Sequence, residues 1–447
     1  MKRWLAPVLA AALLAGISVA EKTNESNGVF PYPTRIETLD NGLQVILIPM
    51  NSEGLVSYWS VVRTGSRDEV EPGHTGFAHF FEHMMFRGTD KFPQDVYGQI
   101  ITEMGADANA FTSDDLTAYH MSITADDLER AMEIESDRFQ NLKYSPEVFK
   151  TEAGAVYGEY RKNRSSPFFT AYEAMRAAAF DEHTYGHTTM GYVEDIQAMP
   201  QMYDYSLGFF KRFYRPENIT LLIAGDIDTA ATLELVGKYY GGWKPGYVAP
   251  EIPVEPEQQG ERRIDVAYEG RSLPILWTAY KFAAFDPGNP TVVAADLLAE
   301  LAFGETSDIY KKLVLEEQVV EMLAAGGNVN RDPGLFDLLA RVKDPAKVDY
   351  VLAELDRTIE QYQQTPADAA RLAGLKSRMK YEFLMDLDTP DNVAGNLARL
   401  ISATGGVEAA NAYYAAVDAV TVEDVQAAAA QFLVPERRTI AVLRGTE

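Results

Sequence analysis

The chain has 447 residues, 47 % of them hydrophobic, which excludes a disordered or fibrous protein and favours two or more globular domains. A formal net charge of −26 argues against binding to nucleic acid or to an anionic membrane surface. Because the chain has no cysteine, it can form no disulfide and no thiolate metal site, so that His, Asp or Glu must hold any metal.

The N-terminus has the pattern of a cleavable export signal. Lys2 and Arg3 precede an apolar stretch, residues 4–20, that ends in small residues before a polar run. An uncleaved membrane anchor is the alternative, but the stretch is short for a membrane span and contains Pro7. We therefore expect a signal peptide at residues 1–20 and a mature protein without a stable membrane span. The bacterial periplasm is the expected location, with secretion as the alternative.

The following segment alternates between strand and helix patterns. Residues 32–50 predict a β-hairpin, because Asn41-Gly42 separates two runs in which apolar and polar residues alternate. Further strands are predicted at 56–62, 118–123 and 220–224. Helices are predicted at 126–139 and 147–161, where apolar residues return every three or four positions.

A proline-rich segment, residues 245–262, interrupts this pattern and is predicted to be a linker. It would separate an N-terminal domain, residues 21–244, from a C-terminal domain, residues 263–447. A short repeat supports two related domains. Phe, Pro, Glu and Thr recur at the same spacing in 213–220 and 432–439, although a match this short can arise by chance. We expect an α+β fold in which each domain has a mostly antiparallel sheet covered by helices.

The histidines are confined to the first half, and two of them lie in the segment His79-Phe80-Phe81-Glu82-His83. On a helix that advances about 100° per residue, His79, Glu82 and His83 share one side, opposite an apolar side. Two histidines one turn apart can place both imidazoles on one metal ion. The alternative is an amphipathic helix whose polar side meets only water.

A metal held by two histidines needs a further protein ligand. Glu152 and Glu159 lie two turns apart on one side of a predicted helix, and the residues alone do not choose between them. Either carboxylate, considered by itself, is more often a solvated surface group.

With these motifs the sequence resembles the pitrilysin family of inverted zincins, which includes insulin-degrading enzyme and mitochondrial processing peptidase. The resemblance covers nearly all of the chain after the signal and is weaker after the linker. Matching segments follow in family order at Asn41-Gly42, 65–69, 79–89, Gly105, 109–112, Tyr119, Glu152, Glu159, 183–186, 215–218 and 225–226.

The resemblance implies one Zn²⁺ per chain, with His79, His83 and Glu159 as ligands. Glu152 would orient a liganding imidazole, and Glu82 would be the general base that takes a proton from the attacking water. The implied activity is that of a zinc endopeptidase which hydrolyses extended peptides or unfolded protein segments.

The resemblance also implies a substrate-binding edge strand at Asn109, Ala110, Phe111 and Thr112, to which a peptide adds as a further strand. The alternative for this segment is an ordinary, covered sheet edge. A zinc amidohydrolase acting on a small amide is a further possible function, but small ligands do not need strand addition.

The second half departs from the family at two positions that help to bind substrate. Asp308 stands where many active members have an Arg, and Glu321 where they have a Tyr. A shifted alignment would instead bring in Arg331 or Arg341. We expect a heterodimer with a zinc-lacking relative that supplies the Arg and Tyr, with a homodimer as the next choice. A non-catalytic assembly subunit with a structural zinc site is the main alternative function.

Overall fold

The computed structural model describes residues 22–24 and 28–446, so the predicted signal peptide lies outside the described residues. The first half forms a seven-stranded sheet with the strand order β1-β2-β3-β7-β4-β6-β5. Its strands are β1 (Lys22–Asn24), β2 (Thr34–Thr38), β3 (Gln44–Pro49), β4 (Leu55–Val62), β5 (Asp107–Thr112), β6 (Thr117–Thr124) and β7 (Ile219–Gly225). Strands β2 and β3 pair antiparallel, which confirms the hairpin predicted around Asn41-Gly42.

The second half forms a five-stranded sheet with the order β10-β11-β9-β12-β8. Its strands are β8 (Arg262–Tyr268), β9 (Ile275–Lys281), β10 (Val320–Gly327), β11 (Leu335–Val342) and β12 (Arg438–Gly445). Read from β8 to β10, this order repeats that of β3, β7, β4, β6 and β5. In both sheets the first of these pairs, β3 with β7 and β8 with β12, is parallel. The α+β fold with two related domains is therefore confirmed.

Helices cover the sheets of both halves. Those of the first half are α1 (Phe77–Met84), α2 (Gln94–Glu103), α3 (Leu128–Asn141), α4 (Pro146–Arg164), α5 (Pro167–Ala179), α6 (Val193–Ala198), α7 (Tyr203–Phe213) and α8 (Thr229–Tyr240). Those of the second half are α9 (Pro290–Phe303), α10 (Asp308–Tyr310, continued by a π-helical turn at Lys311–Glu316), α11 (Val348–Gln364), α12 (Ala369–Met385), α13 (Pro390–Thr404), α14 (Glu408–Ala419) and α15 (Val422–Phe432). The two predicted helices correspond to α3 and α4.

The repeated sequence segment leads to the same local structure in both halves. Helix α7 ends at Phe213 and strand β7 begins at Ile219, while α15 ends at Phe432 and β12 begins at Arg438. Residues 241–261, most of the predicted linker, contain no helix and no strand. In the part of the chain that the structure describes, we find no helix long and apolar enough to cross a membrane.

Each half lends one helix to the sheet of the other half. Helix α5 precedes the predicted linker, yet it packs on the second sheet, where Met175 joins a cluster with Ala279 and Ala441. Helix α13 follows the linker, yet it packs on the first sheet. Its buried residues Val393, Leu397 and Ile401 meet Ile46, Trp59 and Leu222 of that sheet. Two hydrophobic clusters therefore combine residues from both halves of the chain.

Candidate metal centre

Helix α1 separates its polar and apolar residues as predicted. Phe77, Phe80, Phe81 and Met84 are fully buried against the core of the first half. His79, Glu82 and His83 lie on the other side and face helix α4 and the end of strand β5.

The N-terminus of α1 is held by a buried carboxyl group. Glu69 Oε2 accepts a hydrogen bond of 2.8 Å from the Gly76 amide, and its Oε1 accepts one of 2.7 Å from the Ala78 amide. These amides have no partner within the helix, so the two oxygens of the Glu69 carboxyl group satisfy both. Burial raises the pKa of Glu69 to about 8. Gly76 has φ +86°, and a Cβ there would lie 2.7 Å from the Met190 carbonyl oxygen, so this position requires glycine.

Helix α4 carries Glu152 and Glu159 to the polar side of α1. It begins at Pro146 after Ser145, whose side chain accepts a hydrogen bond from the Val148 amide. Glu159 Oε2 lies 3.3 Å from His83 Nε2 and 3.7 Å from His79 Nε2.

The donor set fits a zinc ion. One atom from each of His79, His83 and Glu159 can be chosen so that all three lie within 4.8 Å of one another. Ligands at about 2.0–2.1 Å from a tetrahedral zinc are separated by roughly 3.4 Å, close to the distances between Glu159 and the two imidazoles. Two nitrogens and one oxygen leave a fourth position for water, as catalytic zinc sites require.

Glu152 has a different environment from Glu159. Its Oε1 lies 2.8 Å from His83 Nδ1, on the side of the ring away from Glu159, and its Oε2 is paired with Arg87. The hydrogen bond to Glu152 raises the pKa of His83 against the effect of burial. Burial alone would raise the pKa of Glu152, but the hydrogen bond to His83 and the Arg87 charge outweigh it and lower this pKa. Only Glu159 therefore approaches the Nε2 atoms of both histidines.

His79 is held in the neutral form that binds a metal. Burial, reinforced by the proximity of His83, lowers its pKa to about 4. Its Nδ1 is buried and has no hydrogen-bond partner among the residues that the structure describes. The ring is instead fixed by packing, with its centroid 4.8 Å from that of His83 at an interplanar angle of 74°.

Glu82 connects α1 to strand β5. The Thr112 hydroxyl donates a 2.6 Å hydrogen bond to Glu82 Oε2, and burial raises the pKa of Glu82. Strand β5 contains all four predicted edge-strand residues, Asn109 to Thr112. It pairs with β6 on one side and is the last strand of the first sheet in the described residues. Its outer edge therefore lies beside the predicted base.

Asp308 and Glu321, the two residues at which the second half departs from the family, form ion pairs with arginines of the same chain. Asp308 is exposed and lies 3.6 Å from Arg371, and Glu321 lies 3.1 Å from Arg341. Arg331 occupies the contact between the halves, where its Nη1 donates to the Arg63 carbonyl oxygen at 3.1 Å. Arg331 and Arg341, the two arginines that a shifted alignment would bring to these positions, therefore both contact other residues of the same chain.

Two contacts of the site were not predicted from the sequence. Arg87 is paired with Glu152, and the hydroxyl of Thr112 is directed at Glu82 rather than left free for substrate. A pattern of residue types contains no signal for either contact, because each depends on how separate elements pack.

Comparison with known families agrees with this geometry. The model described as Insulinase (Peptidase family M16) matches residues 45–192, which include α1 and α4, and the model described as Peptidase M16 inactive domain matches residues 203–379. The chain belongs to peptidase family M16. The match confirms the resemblance to the pitrilysin family and supports a metallopeptidase.

Individual M16 relatives extend over most of the chain. The zinc protease PqqE of Helicobacter pylori is 28% identical over 372 residues, covering 81% of this chain and 82% of the relative. The mitochondrial-processing peptidase subunit beta of Dictyostelium discoideum is 25% identical, covering 90% of this chain and 86% of the relative. The crystal structure of a protease from Helicobacter pylori superposes with a TM-score of 0.88 at 25% identity, covering 93% of this chain and all of that one.

Proposed function

We propose that this M16 family member is a zinc-dependent endopeptidase that hydrolyses extended peptides or unfolded protein segments. One observation carries the proposal. The Nε2 atoms of His79 and His83 converge with Glu159 Oε2, and Glu82 lies on the same side of α1 beside the open edge of β5. A metal donor set, a base and a strand edge are thus combined in one place.

His79, His83 and Glu159 would hold the zinc, with Glu152 orienting the imidazole of His83 through its Nδ1. When bound, zinc supplies Lewis-acid polarisation of a peptide carbonyl and lowers the pKa of water. Glu82 accepts a proton from the attacking water and returns it to the nitrogen of the leaving amine. The raised pKa of Glu82 suits a group that takes up and releases one proton per cycle.

The edge of strand β5 determines the direction and the extended conformation in which the proposed peptide substrate binds. A peptide that adds to this edge forms main-chain hydrogen bonds along Asn109, Ala110, Phe111 and Thr112, and it must be extended to do so. Thr112 is bonded to Glu82, so a peptide bound along this strand passes beside the base. This requirement for an extended chain favours unfolded segments over folded proteins and speaks against a small-amide substrate.

We further propose that the chain works with a second subunit. Asp308 and Glu321 replace the Arg and Tyr that bind substrate in many family members, and both carboxylates are engaged by arginines of the same chain. The proposed partner is an exported relative that has the Arg and Tyr but no intact zinc motif, with a homodimer as the next choice. The similarity to a processing-peptidase chain that is named as a subunit supports this arrangement.

We also propose that the protein is exported, with residues 1–20 removed as a signal peptide, and acts in the periplasm. The basic and apolar pattern of that segment carries this part of the proposal. N-terminal sequencing of the protein purified from a periplasmic fraction tests it, with Glu21 as the expected first residue. A first residue of Met1, or recovery of the chain from membranes, contradicts it.

The activity is tested on the purified mature chain with a quenched fluorescent peptide that has no stable fold. We expect the isolated chain to cleave poorly, with an activity that EDTA abolishes and Zn²⁺ restores, and turnover lower by about 10²–10⁴-fold in Glu82→Gln under the same conditions. Mixing with the candidate partner should raise the rate if the second subunit completes the site. Zinc binding without cleavage in every combination would support the non-catalytic alternative. Full activity of a chain that light scattering measures as a monomer would contradict the proposed partner.

A further inference from the structure

A second concave site lies behind the metal centre and is separate from it. The ends of α3 and α7, together with the segment after α8, enclose a cavity of about 420 Å³. Its lining includes five aromatic side chains, Phe139, Tyr144, Phe210, Tyr214 and Trp243. Gln140, Asn141 and three basic residues also line it, so aromatic and polar side chains share the walls of a cavity whose size is typical of small-molecule sites.

The rim of this cavity is basic although the chain as a whole is strongly acidic. Lys211, Arg215 and Lys244 all line it, in a protein with a formal net charge of −26. Among residues 28–446, none of the three lies within ion-pair distance of a carboxylate. The neighbouring Lys143, outside the cavity, is by contrast 2.7 Å from Asp90.

The three basic side chains differ in their contacts. Arg215 Nε donates to the Lys211 carbonyl oxygen at 2.5 Å, and its Nη1 donates to the Lys244 carbonyl oxygen at 3.4 Å. This use of Arg215 is typical of a residue near a helix C-terminus. The ammonium groups of Lys211 and Lys244 make no hydrogen bond within the described residues, so their charge is available to a ligand.

We propose that this cavity binds a small organic anion with an aromatic or alkyl body, such as an aryl carboxylate. The apolar body would pack among the aromatic walls, while the carboxylate would lie at the rim between Lys211 and Lys244. Burial of the body supplies most of the affinity, and the two ammonium groups select an anion over a neutral molecule of the same shape. This site is additional to the proposed peptidase activity and does not depend on it.

The cavity is one layer of side chains away from the metal helix. The ring of Phe210 stacks on Phe81 at 5.9 Å between centroids. The Tyr214 hydroxyl is 2.6 Å from that of Tyr119, which donates to the Phe81 carbonyl oxygen at 3.0 Å. Phe81 lies between His79 and His83 in α1. A ligand in the cavity would therefore contact Phe210 and Tyr214, which support this helix on the side opposite the metal ligands.

Binding is tested with 2-naphthoate on the full mature chain in EDTA, so that the carboxylate cannot be counted as a zinc ligand. Trp243 lines the cavity, and its fluorescence should be quenched in a saturable way, with calorimetry as an independent readout. The neutral analogue 2-naphthalenemethanol should bind about fivefold more weakly, as expected for the loss of two exposed charge contacts. No saturable binding of naphthoate at millimolar concentration would overturn the proposal.

Variants locate the site. Lys211→Met combined with Lys244→Met should weaken naphthoate about fivefold and leave the neutral analogue unchanged. Leu207→Trp, which fills the cavity, should abolish binding of both probes. Lys143→Met is the matched control, because it removes a nearby lysine that does not line the cavity. Unchanged naphthoate affinity in the double variant, or equal weakening by Lys143→Met, would contradict an anion site here.

Discussion

Glu82 lies one residue before His83 in α1, and its Oε2 accepts a 2.6 Å hydrogen bond from the Thr112 hydroxyl at the end of the edge strand. We predict that Glu82→Gln keeps the fold and the zinc but lowers peptidase turnover by about 10²–10⁴-fold, because an amide cannot accept the proton. Metal content and the turnover of a fluorescent peptide measure the two effects. Undiminished turnover would remove Glu82 from the mechanism.

Thr112 is predicted to position Glu82 rather than to bind substrate through its side chain. Thr112→Val keeps the shape but removes the hydroxyl, so kcat should fall about tenfold while KM changes little, since the main chain of β5 still pairs with substrate. Thr112→Ser retains the hydroxyl and should restore most of kcat. A rise in KM alone, in either variant, would instead assign the side chain to substrate binding.

The capping of α1 by Glu69 should influence both the stability of the protein and its metal binding. Glu69→Ala leaves the Gly76 and Ala78 amides without partners and should lower Tm and weaken zinc binding, because the helix that carries His79 loses its fixed start. Thermal unfolding and chelator competition measure these changes. A surface change on the same half, Lys143→Met, serves as the control and should alter neither.

The pKa of Glu69 adds a pH dependence with a definite sign. Burial raises this pKa to about 8 in the folded protein, so the folded state holds a proton that the unfolded chain has released. Stability therefore falls as the pH rises from about 4.5 to about 8. We predict that the Tm of wild type declines more over this interval than that of Glu69→Gln, whose side chain does not titrate. Parallel declines would contradict a protonated Glu69.

Local patterns were sufficient to predict several elements but not their assembly. The hairpin at Asn41-Gly42 and the two-sided helix at 77–84 follow from turn chemistry and periodicity, which act over a few residues. The exchange of α5 and α13 between the sheets was not predicted, because the sheet that a helix covers is decided by packing over long sequence distances. The family resemblance, and not a local pattern, predicted Glu159 rather than Glu152 as the third metal ligand. The physical reason is that the Glu152 carboxylate is already paired with His83 Nδ1 and Arg87.

We propose a domain boundary within the linker 245–262, but the two domains are in extensive contact. The turn after β5 meets the loop before β11, where Asp115 Oδ2 accepts hydrogen bonds from Asn330 Nδ2 at 3.2 Å and from the Arg331 amide at 3.0 Å. Together with the exchanged helices, these contacts connect the two sheets.

We therefore predict that residues 21–244 alone do not form a stable monomer. Without α13, the side chains of Ile46, Trp59 and Leu222 lose their cover and expose an apolar sheet face. Size-exclusion chromatography and dye binding should detect aggregation or exposed apolar surface, and co-expression with residues 263–447 should suppress both. A soluble, cooperatively unfolding 21–244 fragment would contradict this dependence.

Metal analysis of two matched variants tests whether His79, His83 and Glu159 hold one catalytic zinc. The wild-type chain should bind one equivalent. Glu159→Gln should lose it, while Glu152→Gln should still bind zinc with an affinity reduced by about 10–100-fold, because only the orientation of His83 is disturbed. A full equivalent of zinc bound by Glu159→Gln with unchanged affinity would contradict this set of ligands.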